Sequence, residues 1–171
     1  MKTLLSVACL IAACLVICGC GTDYAWRSSI PKEMRTVSVP TFRNESDLQE
    51  AGAVASRQLL REFQREGTFA LRDSDDGALQ IQGTVVSAGS SVKAYDRRHG
   101  LRIGSSDMNV EAVVSVVDKR RGRVLVDGRR YVATTTFASG GDSTTAERDA
   151  VGRAMDDLAR QIVDDVLLLK F

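Results

Sequence analysis

All four cysteines of this 171-residue chain, Cys9, Cys14, Cys18 and Cys20, lie at or before position 20, and that placement limits how the remainder can hold itself together. From Gly21 onward there is no thiol to form a disulfide, and the single histidine, His99, cannot build a His/Cys zinc site without one. Nucleophile chemistry of the Ser/His/Asp or Cys/His kind is nearly excluded for the same reason. The chain beyond the cysteines must therefore fold by packing alone, and about 150 residues suffice for one core and hardly for two.

The first twenty residues read as a secretory signal. Met1 and Lys2 are followed by an almost unbroken apolar run, Thr3 to Ile17, and then by Cys18, Gly19 and Cys20. The run is shorter than the roughly 20 apolar residues that cross a bilayer core as a helix. A small residue before Cys at the cleavage point resembles the bacterial lipoprotein signal, in which that cysteine is lipidated. The expectation is a signal peptide over 1–19, N-acyl and S-diacylglycerol groups on Cys20, a tether over 20–29 and a single domain over 30–171. Ile11, Ala12 and Ala13 ahead of Cys14 also fit the residue types, so Cys14 stays open as the acylated position. Gly21 stands after Cys20 where some lipoproteins have Asp, a pattern that in such lipoproteins accompanies delivery to the outer membrane. Ten extended residues reach about 33 Å, which keeps the domain near its membrane.

Charge narrows the partners. The chain has 23 Lys and Arg against 22 Asp and Glu, and Lys2 falls in the signal, so the remainder is balanced. That balance argues against nucleic acid as a general partner, because phosphate neutralisation needs net positive charge.

Alternating and helical patterns then follow in a definite order. Arg35 to Pro40 alternates and is β-branched, a first strand that Pro40 ends. Thr41 to Glu45 reads as a loop. Ser46 and Gln49 have capping-box spacing, opening a helix to about Glu66 with Leu48, Ala51, Ala55, Leu59, Leu60 and Phe63 on its apolar face. Gly67 stands where a left-handed C-cap belongs. Thr68 to Arg72 is a second strand, parallel to the first because a helix intervenes. Asp73, Asp75 and Asp76 are turn formers rather than a catalytic carboxylate cluster. A long strand from Leu79 to about Tyr95 is expected to break phase between Val86 and Ser91. Asp107 to Asp118 alternates cleanly, with Met108, Val110, Ala112, Val114 and Val116 on one side. Lys119 to Gly122 turns into a last strand, Arg123 to Phe137, with a bulge at Asp127 and Gly128. Thr144 and Glu147 form a second capping box, ahead of a helix that points Ala150, Val151, Ala154, Leu158, Ile162, Val163 and Val166 inward. The fold class is α+β: two helices on one face of a mixed four- to five-stranded sheet, in β-α-β-β-β-β-α order.

This succession resembles the lipopolysaccharide-assembly lipoprotein (LptE) family. The resemblance rests on the signal closing on Cys20 and Gly21, Ile30 and Pro31 followed by Thr36 to Pro40, the Phe42, Arg43, Asn44 turn, the Leu79 to Gly83 strand, and the closing helix with Ala154, Leu158, Ala159, Ile162 and Val163. Thr22, Asp23 and Tyr24 stand where the family often has Tyr directly after Cys-Gly. The resemblance implies a non-catalytic protein without cofactor or metal, held by lipid on the periplasmic face of the outer membrane. It further implies seating in an outer-membrane β-barrel LPS-assembly protein and contact with lipopolysaccharide. Two basic clusters carry compatible chemistry for lipid A phosphates: Arg97, Arg98 and Arg102, and Lys119, Arg120, Arg121 and Arg123. A strand of about eleven residues separates them by roughly 37 Å. The same reading puts the Arg97 loop at the end where the chain enters from its tether and the Lys119 turn at the far end. Strand, Asn-containing turn, helix, strand and a polar strand with Gly83 also resemble outer-membrane lipoproteins that activate peptidoglycan synthases by protein contact. A tether of about ten residues favours a partner at the membrane itself.

Overall fold

A computed structural model of the chain describes residues 30–73, 76–96, 102–138 and 143–170. The elements below all belong to one unit, Lys32–Phe171. After a 3-10 turn at Lys32–Met34 come β1 (Thr36–Ser38), β2 (Arg43–Asn44), α1 (Ala51–Glu66), β3 (Ala70–Leu71), β4 (Leu79–Asp96), β5 (Arg102–Asp118), β6 (Arg123–Ala138) and α2 (Ser143–Leu167). The α+β class holds, with two helices and a mixed sheet in the order β3-β1-β4-β5-β6, to which β2 adds beside β4.

The core forms where the alternating side chains of the sheet meet the helices. Leu79, Ile81 and Val85 of β4, Met108 to Val116 of β5 in alternation, and Val126, Tyr131, Ala133 and Phe137 of β6 are buried. Against them lie Ala55, Leu59 and Phe63 of α1 and the Ala150-to-Val166 stripe of α2. The opposite face of β4, β5 and β6 carries Ser91, Lys93, Asp107, Asn109, Glu111, Thr134 and Thr136, intermediate or exposed. The expected bulges are present: the β4–β5 register shifts between Val85 and Ser87, and Asp127 and Gly128 of β6 together stand opposite Ser115, Gly128 having a φ of 55°; further shifts fall at Val92/Ala94, Ala94/Tyr95 and Val116/Val117. Gly67 caps α1 in the left-handed region, its N–H donating to Phe63 O at 3.1 Å.

The first capping box does not cap. Ser46 Oγ donates to Asn44 Oδ1 at 2.7 Å and Asn44 Nδ2 to Leu48 O at 2.9 Å, a local turn that spends the serine before the helix starts. The helix begins at Ala51, after Glu50 with φ 67°. Its start is set by docking. Ser56 Oγ accepts the Phe42 N–H at 2.8 Å, and Gly52 lies so close to Phe42 that a Cβ there would stand 2.2 Å from its carbonyl oxygen. The segment expected to be a loop is thereby drawn against α1, and Arg43 and Asn44 pair with Thr84 and Val85 as β2. The second box also fails as written, because α2 already includes Ser143 and Thr144 lies inside its first turn.

A larger correction concerns direction. β1 pairs parallel with β3 on one side and parallel with β4 on the other, Val37 facing both Leu71 and Leu79. The link from Arg72 to Ala78 is therefore not a hairpin but a crossing to the other side of β1. Asp76 N–H donates to Asp73 O at 3.1 Å, Ala78 N–H to Thr36 Oγ1 at 2.9 Å, and Gly77 fits so tightly on Ser38 that a Cβ would lie 2.5 Å from its nitrogen. So short a link suffices because each overlap is only two residues long. In consequence β4 starts, rather than ends, at the end of the sheet where β1 starts.

Candidate functional site

That direction exchanges the two basic clusters. Val37, Leu79, Asp118 and Arg123 form one row across the sheet, so the Lys119–Gly122 turn shares the proximal end with the start of β1. Arg102 opens β5 at the distal end, and Arg97 and Arg98 lie outside the described residues, as does Cys20. The separation also exceeds the expected one, since β5 has 17 residues and spans about 54 Å at 3.4 Å per step. Arg102 and the Lys119–Gly122 turn therefore cannot meet on one phosphate pair.

A carboxylate organises the proximal turn. Asp118 is 0% exposed, and its Oδ1 accepts the N–H groups of Arg120 and Arg121, both at 3.0 Å. Its Oδ2 has no hydrogen-bond partner and instead faces Arg121 Nη1 at 3.8 Å and Arg123 Nε at 3.6 Å. At those distances charge orients the guanidinium groups while their N–H donors stay uncommitted to Asp118. Both side chains remain half exposed, at 49% and 50%. Gly122, with φ 64°, takes the left-handed position of the turn, and Lys119 N–H ties it to Ala78 O at 2.9 Å. The arrangement is a rigid basic loop able to present several donors to an anion.

The uncovered sheet face holds a second set of polar groups, which the alternation of Asp107, Asn109 and Glu111 opposite Met108 and Val110 signals in part. Asp107 Oδ1 accepts from Thr136 Oγ1 at 2.5 Å and Lys93 Nζ at 3.2 Å; the threonine bond first, then the lysine, hold its carboxyl below the usual range. Asn109 joins Ser91 and Thr134 at 3.3 and 2.8 Å, and Glu111 pairs with Arg130. The partners on β6 depend on a register that the bulge shifts, which hid these pairings from the sequence. On the helix side, Asp165 of α2 accepts from Arg129 at 2.7 Å and from Tyr131 OH at 2.8 Å. Burial, then the hydrogen bond and charge of Asp165, push the Tyr131 phenol up to about 12.

Asp73 and Asp76 line an open groove of about 440 Å³ with Val39, Leu60, Leu71 and Arg72, both of them exposed turn residues. Among the described residues no group of three or more His, Cys, Asp or Glu is placed to hold a metal.

Comparison with known proteins bears on the whole unit. A search of curated protein sequences finds no match. Among solved structures, a hypothetical protein of Chlamydia trachomatis superposes with a TM-score of 0.57 at 12% identity, covering 77% of this chain and 95% of that one. Lipoprotein B of Nitrosomonas europaea gives 0.52 at 13% identity, covering 78% and 82%. A minor lipoprotein of Acinetobacter baumannii gives 0.51 at 13%, covering 78% and 93%. At these identities the likeness is one of fold. The family described as "LptE: Lipopolysaccharide-assembly" matches residues 34–166, which takes in every strand and nearly all of both helices. The chain belongs to the LptE lipopolysaccharide-assembly family.

Proposed function

We propose that this protein is a non-catalytic outer-membrane lipoprotein, acylated on Cys20, that seats in a β-barrel translocon and contacts lipopolysaccharide on its way to the cell surface. The observation that carries the reading is the family match over residues 34–166, in a family that works without a cofactor. The uncovered face of β4, β5 and β6 adds physical support. Its Lys93–Asp107–Thr136, Ser91–Asn109–Thr134 and Glu111–Arg130 pairings make a largely polar, prearranged surface in which Val132 is the exposed aliphatic side chain. Such a surface suits a water-lined barrel interior better than lipid or an apolar groove. Cation donors for lipid A phosphates come from one of the two clusters, Arg97, Arg98 and Arg102 or Lys119, Arg120, Arg121 and Arg123.

Affinity purification of the tagged protein from membranes tests the partner. Co-purification of a large β-barrel is expected; recovery of a peptidoglycan synthase in its place refutes the assignment in favour of a synthase activator. Charge reversal of each cluster in turn, followed by a lipopolysaccharide pull-down, tests the contact, and unchanged binding in both variants defeats it.

A further inference from the structure

The proximal end gathers three features that the seating of a polar face in a barrel does not use. The first is the charge of the β5–β6 turn itself, set among exposed carboxylates at Glu33 and Asp127. In the β5–β6 turn the cations Arg120, Arg121 and Arg123 are exposed, while the only carboxylate, Asp118, is wholly buried beneath them. The second is apolar. Of the described residues, Val92, Val124, Val132 and Leu168 are the large aliphatic side chains left exposed, and Val124, 56% exposed, directly follows Arg123. Leu168, 64% exposed, directly follows α2, which runs toward this end because Gln161 meets Val132 and Asp165 meets Arg129. The third is connectivity. β1 starts two strand spacings, about 10 Å, from the end of β5, so the chain enters the unit beside the turn.

We propose that this proximal end is a docking face for acidic phospholipid headgroups, with Arg120, Arg121 and Arg123 meeting phosphates and Val124 and Leu168 reaching the acyl boundary. Cations beside exposed aliphatic side chains are the combination that an acidic bilayer surface retains. Asp118 acts as the positioning residue, fixing the turn backbone through Oδ1 while leaving the guanidinium donors to the lipid. The inference rests on the anchored reading only for proximity: the twelve residues from Cys20 to Lys32 reach at most about 40 Å. The distal cluster, some 50 Å away and many screening lengths from that surface, is then left for other anions.

The test uses the mature protein reconstituted into vesicles, with one cysteine introduced for a fluorophore by Asp127→Cys near the turn or Ser91→Cys on the distal half. Quenching by a lipid-borne quencher is compared between phosphatidylcholine vesicles and vesicles containing phosphatidylglycerol. The Asp127 position is expected to be quenched several-fold more in the acidic vesicles, the Ser91 position equally in both. Added salt and Arg120→Gln should each reverse the difference, the substitution weakening attachment about fivefold. Among the described residues the Arg120 side chain enters no hydrogen bond or ion pair, so that variant leaves folding intact. Equal quenching at Asp127 in both vesicles overturns the docking face, and so does quenching that needs lipopolysaccharide and ignores phosphatidylglycerol, which marks a cargo site. Reversal by free inorganic phosphate at an ionic strength where chloride has no effect also overturns it, as an anion site without lipid preference. Protein that leaves neutral vesicles but stays on acidic ones refutes the anchor while supporting the face.

Discussion

Gly83 stands between the buried Ile81 and Val85 on one face of β4, where a larger side chain would be expected, and the reason is a ring. A Cβ at Gly83 would stand 2.3, 2.5 and 2.5 Å from Cε2, Cδ2 and Cζ of Phe42, so the phenyl group occupies the place of the missing side chain. The ring has little room to yield, because it is 4% exposed and its backbone is held on both sides by the Ser56 hydroxyl and the close approach of Gly52. Gly83→Ala should therefore behave as overpacking, about 1–3 kcal/mol, and near the top of that range since the anchored backbone resists a shift. Exchanging Gly for Ala in a strand returns about 0.5–1 kcal/mol, too little to change the sign. Phe42→Ala alone should cost about 3–5 kcal/mol by opening a cavity. In the double variant the clash is gone and the new methyl group fills part of that cavity, so its cost should not exceed that of Phe42→Ala. Urea unfolding of all four proteins, followed by far-ultraviolet circular dichroism, closes the cycle, provided the m-values agree. A coupling of about 2 kcal/mol or more in the rescuing sense is expected. Additive costs, or a Gly83→Ala protein as stable as the parent, would refute the ring-for-side-chain account.

Two further outcomes follow from buried polar groups. Asp118→Ala removes the charged acceptor of two turn N–H groups, while the two arginines it leaves are half exposed, and should destabilise the protein by about 1.5–3 kcal/mol in the same unfolding assay. Tyr131 holds its proton in the folded state up to about 12 against an ordinary 10, so its share of stability is complete below pH 10 and is lost as pH rises from 10 toward 12. Asp165→Asn should bring the phenol part of the way down in an ultraviolet phenolate titration, burial keeping it above its ordinary range, with Tyr131→Phe identifying the signal; an unmoved midpoint contradicts the share assigned to Asp165.

The alternating and helical stretches were legible because their periodicity is imposed by burial that each element experiences by itself. Met108 to Val116 and Ala150 to Val166 bury the residues that their spacing selects, and Gly67 and Gly128 take the positive φ that only glycine adopts without strain. What could not be read depended on contacts between segments far apart in the chain. Ser46 looks like a helix cap until Asn44 is seen to take its hydroxyl, and Gly83 looks like a weak strand residue until Phe42 is packed on it. The exchange of the two basic clusters has the same origin. A seven-residue link rich in Asp and Gly serves a hairpin and a crossing equally well, and the choice is made by Val37 pairing on both of its sides. The site was legible in composition, as basic residues at strand ends, while the part played by Asp118 was not, since a strand-end aspartate is also an ordinary turn former.

The long strands leave backbone that a partner has to reckon with. β2 stops beside Val85, and from Ser87 to Asp96 β4 has no strand on that side among the described residues. An open strand edge is a template for pairing with other chains, and three features work against it here: register shifts at Val85/Ser87, Val92/Ala94 and Ala94/Tyr95, the exposed charge of Lys93, and the Gly89–Ser90–Ser91 run with little side chain to bury. The opposite edge is guarded differently, Gln161 of α2 reaching over to donate to Val132 O at 3.2 Å while the bulge at Asp127 and Gly128 interrupts the strand below it. With β4 irregular along its open edge and β6 interrupted at its bulge, strand addition is disfavoured at those places, and the largely polar face between them is what the distal half of the sheet offers a partner. That division accounts for a sheet whose distal face is built from side-chain hydrogen bonds and whose proximal rim is built from cations: the first suits a polar protein wall, the second a surface bearing phosphate.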